Sequence, residues 1–310
     1  MSKGEGFGKV ILFGEHFVVY YLPGIASGIS GQTIATLEDG QKGFELVDNR
    51  PQVPGYGEKK SEEMKRQFEA IFNYFKINPE ETPIKITLAG DLLCSSGVGA
   101  SAALAASTAR AFNEKLNLNL NDEEINKVAY LAEEAGSGTP SGIDNTCSVF
   151  GGFITFEKNK EGGPNKIEKL SVSKPVEIVM VSTGITQETK VVVADVLKLK
   201  ESDEEQFKAI TDEYIEVYNS AVKAINSGDW KRVGELMDKN HELLQKIGVS
   251  CDELEHLVKV AKDNGAWGAK LTGTGRGGYM IALTPGKELQ EKVAKAFEDE
   301  GFTTLRTSVG

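Results

Sequence analysis

Residues 84–116 place the strongest constraint on what this chain can fold into. Ile84–Leu88 (IKITL) alternates like a half-buried strand, and Ala102 to about Leu116 is an alanine-rich run of helical character. Between them lies Ser95-Ser96-Gly97-Val98-Gly99-Ala100-Ser101. A strand, a glycine-rich stretch and a helix thus follow one another directly. Glycines let the backbone turn its N–H groups inward around an anion, because a positive φ costs them little. The helix beginning there adds unpaired N–H donors and the positive end of its dipole. A hydroxyl at Ser101 can reach a metal that bridges phosphates. Taken alone, the stretch fits a plain Ser/Gly turn as well as it fits a phosphate loop. No Lys follows its glycines, so it is not the P-loop GxxxxGK[ST], and it lacks the dinucleotide pattern GxGxxG. The chain has no HRD or DFG, which excludes the protein kinases.

The remaining chain reads as strands and helices in both halves. Lys9–Phe13 (KVILF), Phe17–Tyr20 (FVVY), Ile34–Glu38 and Gly43–Val47 are strand-like. Ser61–Tyr74 has helical spacing through Met64, Phe68 and Phe72, with Ser61 as the expected N-cap. Asn121 with Glu124 is a capping box for the next helix. Gly151–Phe156 and Glu177–Ser182 are further strands, and about 190–264 is helical with breaks at Gly228 and near Gly248. Trp267–Leu271, Tyr279–Leu283 and Thr303–Arg306 read as strands around a helix carrying Leu289, Val293 and Phe297. The pattern predicts an α+β protein of two lobes, 1–182 and 183–310.

Composition narrows the function classes. The 310 residues carry 35 Lys+Arg against 46 Asp+Glu, a net charge of −11, which disfavours nucleic acid and anionic membranes as partners. No apolar run approaches the ~20 residues of a membrane span. The N-terminus lacks a signal-peptide pattern, and three dispersed cysteines make no disulfide framework. A cytoplasmic location is expected.

Three more stretches carry chemistry. In Glu133–Asn145, Asp144 follows a Gly/Pro/Ser turn and is a candidate Mg²⁺ ligand or proton acceptor, while Glu134 reads as solvated. Gly268–Gly278 holds five glycines in eleven positions between strands. A hairpin turn needs at most two, so close backbone packing or close approach to a ligand is implied. Lys9 with Gly14-Glu15-His16 is the fourth stretch; a Lys beside phosphates stabilises charge on a transferring group. A lone Lys or His is otherwise usually structural. His241 and His256 are expected far from these loops, His256 on the surface, and Cys94 and Cys147 as small core residues.

Together, in this order, the four stretches resemble the GHMP kinase superfamily over nearly the whole chain. KVILFGEHFVVY (Lys9–Tyr20) is similar to the N-terminal signature of its mevalonate kinases, and NHELLQKIGVS (Asn240–Ser250) to another of their segments. SGVGASAA (Ser96–Ala103), TPSGIDN (Thr139–Asn145) and KLTGTGRGG (Lys270–Gly278) resemble the family's three motifs. The resemblance implies the two-lobe GHMP kinase fold: an N-terminal ATP-binding lobe that is ribosomal-protein S5-like, with a left-handed βαβ crossover, and a C-terminal ferredoxin-like lobe with added helices. It implies ATP-dependent phosphorylation of the primary hydroxyl of mevalonate, in isoprenoid precursor synthesis, with Mg²⁺. By resemblance, Asp144 is the catalytic base and Lys9 meets it and the substrate hydroxyl. Ser101 and Glu133 fall on Mg²⁺ ligand positions, and Ser95, Ser96, Gly97, Val98, Gly99, Ala100 and Ser101 on the triphosphate loop. Glu15, His16, Thr189 and Gly273 fall on the substrate side. A homodimer is common in the family.

The chain departs from the family at Ala100 (a serine), Ser137 (a histidine), Arg276 (a glycine), Tyr21 (a glycine) and Gln187, where some members place an Arg near the substrate carboxylate. The rival readings are another GHMP kinase, acting on phosphomevalonate, homoserine or a sugar, and a non-catalytic ligand-binding regulator. Loss of Asp144, Lys9 or Ser101 would have favoured the regulator, and all three are present. No strand–GxGxxG–helix unit supports an oxidoreductase.

Overall fold

The computed structural model describes residues 1–310 apart from Ser96, Thr139, Pro164, Ser173 and Thr186. The chain forms two compact units: Met1–Lys9 with Gly28–Gly151, and Val10–Ser27 with Gly152–Gly310. Strands β1 (Ser2–Phe13) and β2 (Gly24–Asp39) each pass from one unit into the other.

In the first unit, β3 (Phe44–Asp48) leads through α1 (Tyr56–Phe75) to β4 (Ile84–Gly90), which pairs parallel to β3 and antiparallel to residues 33–39 of β2. Three helices follow: α2 (Ala100–Leu116), α3 (Asp122–Ser137) and α4 (Ile143–Phe150). Phe68, Phe72, Ile86, Leu104, Phe112 and Val128 share one core. The alanine content of α2 has a steric cause. A Cβ on Gly4 or Gly6 of β1 would stand 2.1 Å from the Ser107 carbonyl oxygen or 2.2 Å from that of Ala103. Strand and helix backbones therefore touch, and only small residues permit it.

In the second unit, residues 24–27 of β2 pair with β5 (Phe153–Glu157), which pairs with β6 (Lys166–Leu170). Next come β7 (Val176–Ser182), the helices α5 (Thr189–Ser202), α6 (Glu204–Ser227), α7 (Trp230–Lys246) and α8 (Asp252–Asp263), then β8 (Gly268–Thr272), β9 (Tyr279–Leu283), α9 (Lys287–Asp299) and β10 (Thr304–Val309). The order β10-β7-β9-β8 is antiparallel throughout, which is the expected ferredoxin-like arrangement with helices α5–α8 inserted after its first strand. Among the described residues, no helix is long and apolar enough to cross a membrane.

Several sequence expectations are corrected here. Phe17–Tyr20 is a 3-10 helix and not a strand; it ends on Tyr21 at φ 63°. Four apolar residues fit either structure by pattern alone. Helix α1 starts at Tyr56 after Gly55, so Ser61 lies inside it and bonds the Glu58 carbonyl. The capping box at Asn121 and Glu124 is present. An additional break falls at Asp203, whose carboxylate accepts the Gln206 N–H at 2.9 Å and starts α6. Asp144 follows the Gly/Pro/Ser turn as expected, and it stands in the first turn of α4, a helix the pattern did not predict.

Candidate active site

The first unit gathers Lys9, the loop before α2, Ser101, Glu133 and Asp144. The Lys9 N–H donates to the Val98 carbonyl at 2.8 Å, so the loop lies against the strand backbone. Gly99 turns the chain into α2 at φ 74°, and a Cβ there would stand 3.0 Å from the Lys9 Cβ. Ser95, Val98, Gly99 and Ala100 are buried and Gly97 is exposed; Ser96 lies outside the described residues. The Lys9 side chain is 7% exposed, and its Nζ is 2.9 Å from Asp144 Oδ1. Burial lowers the Lys9 pKa, but Asp144, with Cys147 and Glu133, outweighs it and holds the amine above its usual range. Asp144 sits in the first turn of α4.

Glu133, near the end of α3, is buried. Its Oε1 accepts from Ser101 Oγ at 2.6 Å and from Gln67 Nε2 at 2.6 Å. Gln67 Nε2 also lies 2.7 Å from Ser101 Oγ, and Glu63 Oε1 is 3.2 Å from that hydroxyl. Burial pushes the Glu133 carboxyl up to about 7; the Asp144 and Glu63 charges add to this, while the Ser101 and Gln67 bonds oppose it. A buried carboxylate beside a hydroxyl, its charge opposed by its surroundings, suits a divalent cation. Gln67 and Glu63 were missed in the sequence. Gln67 falls on the stripe of Met64, Phe68 and Ile71, where a polar residue is itself a signal.

The second unit holds the other group. Both Glu15 carboxylate oxygens are taken by the chain: Oε1 pairs with Lys270 Nζ, and Oε2 accepts from Asn240 Nδ2 at 3.2 Å. Both ion-pair side chains are fully buried. His16 Nε2 donates to the Thr274 carbonyl at 2.6 Å, which leaves Nδ1 as a buried acceptor without a partner among the described residues. Burial holds His16 below its usual pKa, hence neutral. Thr189 Oγ1, at the start of α5, is 2.8 Å from Thr274 Oγ1. Gly273 has φ 80° with open space where a Cβ would stand.

The glycine density of 268–278 is explained by backbone approach: a Cβ on Gly275 would stand 2.2 Å from the Val249 carbonyl oxygen, and one on Gly277 2.8 Å from that of Ile185. His241 is not remote from this loop, as the sequence suggested. Its Nδ1 accepts the Leu271 N–H at 3.3 Å, because α7 packs on β8. His256 is half-exposed beside Glu300. Cys94 and Cys147 are buried, their thiols pushed up by burial. Lys270, Asn240 and Thr274 were missed as site residues, although each lies in a quoted motif.

Comparison with known proteins identifies the family. The GHMP kinases N terminal domain matches residues 63–152 and the GHMP kinases C terminal domain residues 221–302. The chain belongs to the GHMP kinase family. Among GHMP kinases, the mevalonate kinase of Pyrococcus furiosus is 36% identical, over 97% of this chain and 94% of the relative. That of Thermococcus gammatolerans is 35% identical over the same shares. The crystal structure of L. major mevalonate kinase in complex with R-mevalonate superposes with a TM-score of 0.94 at 38% identity, covering 100% of this chain and 96% of that one. The two GHMP kinase matches and the two clusters overlap in sequence at Glu63, Gln67, Ser101, Glu133, Asp144, Asn240, Lys270 and Thr274.

Proposed function

We propose that this chain is an ATP:mevalonate 5-phosphotransferase, transferring the γ-phosphoryl group of ATP to the primary hydroxyl of mevalonate to give 5-phosphomevalonate and ADP. The observation that carries the chemistry is the Lys9–Asp144 pair at 2.9 Å, with Lys9 packed against the loop that opens α2. Phosphoryl transfer asks little covalent chemistry of a protein and much positioning and charge stabilisation.

In this reading, N–H groups of the 95–101 loop and the start of α2 hold the triphosphate. Asp144 accepts the proton of the attacking hydroxyl, and its ion pair with Lys9 keeps it oriented. The Lys9 ammonium, held above its usual pKa, remains charged to stabilise the transferring group. Ser101 Oγ and Glu133 would hold Mg²⁺, which when bound neutralises phosphate charge. Glu63 and Gln67 orient those two ligands. On the alcohol side, His16 Nδ1 and the hydroxyl of Thr189 offer hydrogen bonds, and Gly273 leaves room. Glu15 contributes through Lys270 and Asn240, which fix the Gly14–His16 turn.

The test is turnover by the purified protein with MgATP over mevalonate, phosphomevalonate, homoserine and galactose, the product identified by mass, with Asp144→Asn alongside. Phosphorylation of mevalonate that Asp144→Asn abolishes is expected. Preference for another alcohol would move the substrate, and ATP binding without any turnover would leave the regulator reading in its place.

A further inference from the structure

Arg276 stands where, by the resemblance, most members have glycine, and its surroundings give it a task. Arg276 adopts φ 50°, a left-handed backbone that disfavours any side chain. Its backbone N–H donates to the Val249 carbonyl at 2.8 Å and its Nε to the Gly248 carbonyl at 2.9 Å. Its Nη1 is 2.7 Å from Asp195 Oδ2, on the second turn of α5. The guanidinium thus spans from the end of α7 to α5. Helix α5 needs such a tie. Of its 14 residues only Val192 and Val196 are buried, and Val191 and Leu197 are exposed. Thr189, Val192, Asp195 and Val196 recur at helical spacing and share a face. That face meets the glycine-rich loop at two polar points, Thr189 with Thr274 and Asp195 with Arg276.

We propose that Arg276 is a positioning residue for the alcohol substrate: through Asp195 it holds α5 on the 273–276 loop, so that Thr189 stays at Thr274. This rests on the reading of Thr189 as a substrate-side residue. A lightly buried helix would otherwise open locally, and the binding-competent arrangement would be only fractionally populated. The cost falls on substrate affinity and not on the transfer step, whose residues are Lys9 and Asp144.

Arg276→Gly and Asp195→Asn test this, singly and combined. Glycine suits φ 50° better than arginine, so a purely structural role predicts unchanged or improved behaviour. The proposal predicts that each variant raises KM for mevalonate about 5-fold, the scale of a partly exposed ion pair, with kcat and KM for ATP within about 2-fold. The double variant should be no worse than either single, because both remove one interaction. Hydrogen–deuterium exchange of peptides covering 189–202 should accelerate by a similar factor in the absence of any substrate. Unchanged KM with unchanged exchange overturns the proposal, as does a parallel loss of kcat and ATP affinity with a lowered melting temperature. If the wild-type protein does not phosphorylate mevalonate, the functional reading fails, and the exchange of α5 alone then decides whether the tie exists.

Discussion

Glu133 offers a test in which stability and activity must move in opposite directions. Its carboxyl is pushed up to about 7, mainly by burial, from an ordinary value of 4.5. The folded protein therefore keeps a proton on Glu133 between about pH 4.5 and 7, where the unfolded chain has lost it. Stability falls as pH rises through that window and stays reduced above it. Each pH unit is worth about 1.4 kcal/mol, so ionised Glu133 costs the metal-free fold about 3 kcal/mol at pH 8. Glu133→Gln keeps the shape and the acceptor for Ser101 and Gln67 without the charge. In EDTA it should be more stable than wild type by about 2–3 kcal/mol at pH 8, and nearly equal to it at pH 5. In a domain of this size that is roughly 5 °C or more in melting temperature. Urea titrations at the two pH values measure it. Mg²⁺ should stabilise wild type at pH 8 and leave Glu133→Gln unmoved, while turnover by the variant drops sharply. A variant that is less stable than wild type at pH 8, or whose advantage is the same at pH 5, would refute the argument that burial sets this group.

Three other substitutions have definite expected outcomes. Asp144→Asn should lower kcat at least ~10²-fold with ATP affinity within a few-fold, measured by single-turnover kinetics and nucleotide titration; burial then acts unopposed by Asp144, so the Lys9 pKa should fall. Gly99→Ala forces a side chain at φ 74° and 3.0 Å from the Lys9 Cβ, and should cost about 1–3 kcal/mol in denaturation together with at least tenfold in kcat. Tyr21→Gly relieves a left-handed residue at φ 63° and should raise the unfolding free energy by about 0.5–1 kcal/mol in urea titrations, the loss of Lys158 and Lys160 over the ring offsetting part of the gain.

The left-handed Tyr21 also shows what kind of information a sequence withholds. Tyr21 takes φ 63° at the end of the 3-10 helix, a backbone conformation that favours glycine, and nothing in FVVYY announces it. The same apolar run conceals its 3-10 form, since four residues fit two periods equally. Asp144 was identified as chemical by type and setting, yet its helix was not. IDNTCSVF is poor in strong helix formers, and α4 is held by burial of Ile143, Asn145, Cys147 and Val149. By contrast, the strand–loop–helix at 84–116 was legible throughout, because alternation, glycines and alanines agree there. The ferredoxin-like order followed from the resemblance and not from periodicity. Cross-chain partners were the least visible: Gln67 with Glu133 and Lys270 with Glu15 join residues 66 and 255 positions apart, and no local pattern encodes such a distance.

Reaction type and substrate choice are written in residues of different physical standing. Lys9 is buried and paired with Asp144, so removing that partner leaves a charge uncompensated, and such losses are among the few that cost a protein several kcal/mol. The chemistry is thereby tied to the fold, and its residues are found in motifs whose glycines and apolar neighbours are also constrained. Thr189 and Gln187 are exposed at and before the first turn of α5, a helix with two buried residues. A change there costs the fold little, unlike one at the buried Glu15 or His16, so this edge of the proposed substrate side can alter while Lys9 and Asp144 stay intact. By the resemblance, Gln187 stands where some members place an arginine, and a departure there leaves the Lys9–Asp144 pair untouched. Arg276 stands between the two cases. It is half-exposed, but its backbone conformation penalises a side chain, so its presence calls for a return elsewhere, and the bond to Asp195 is where the structure places one.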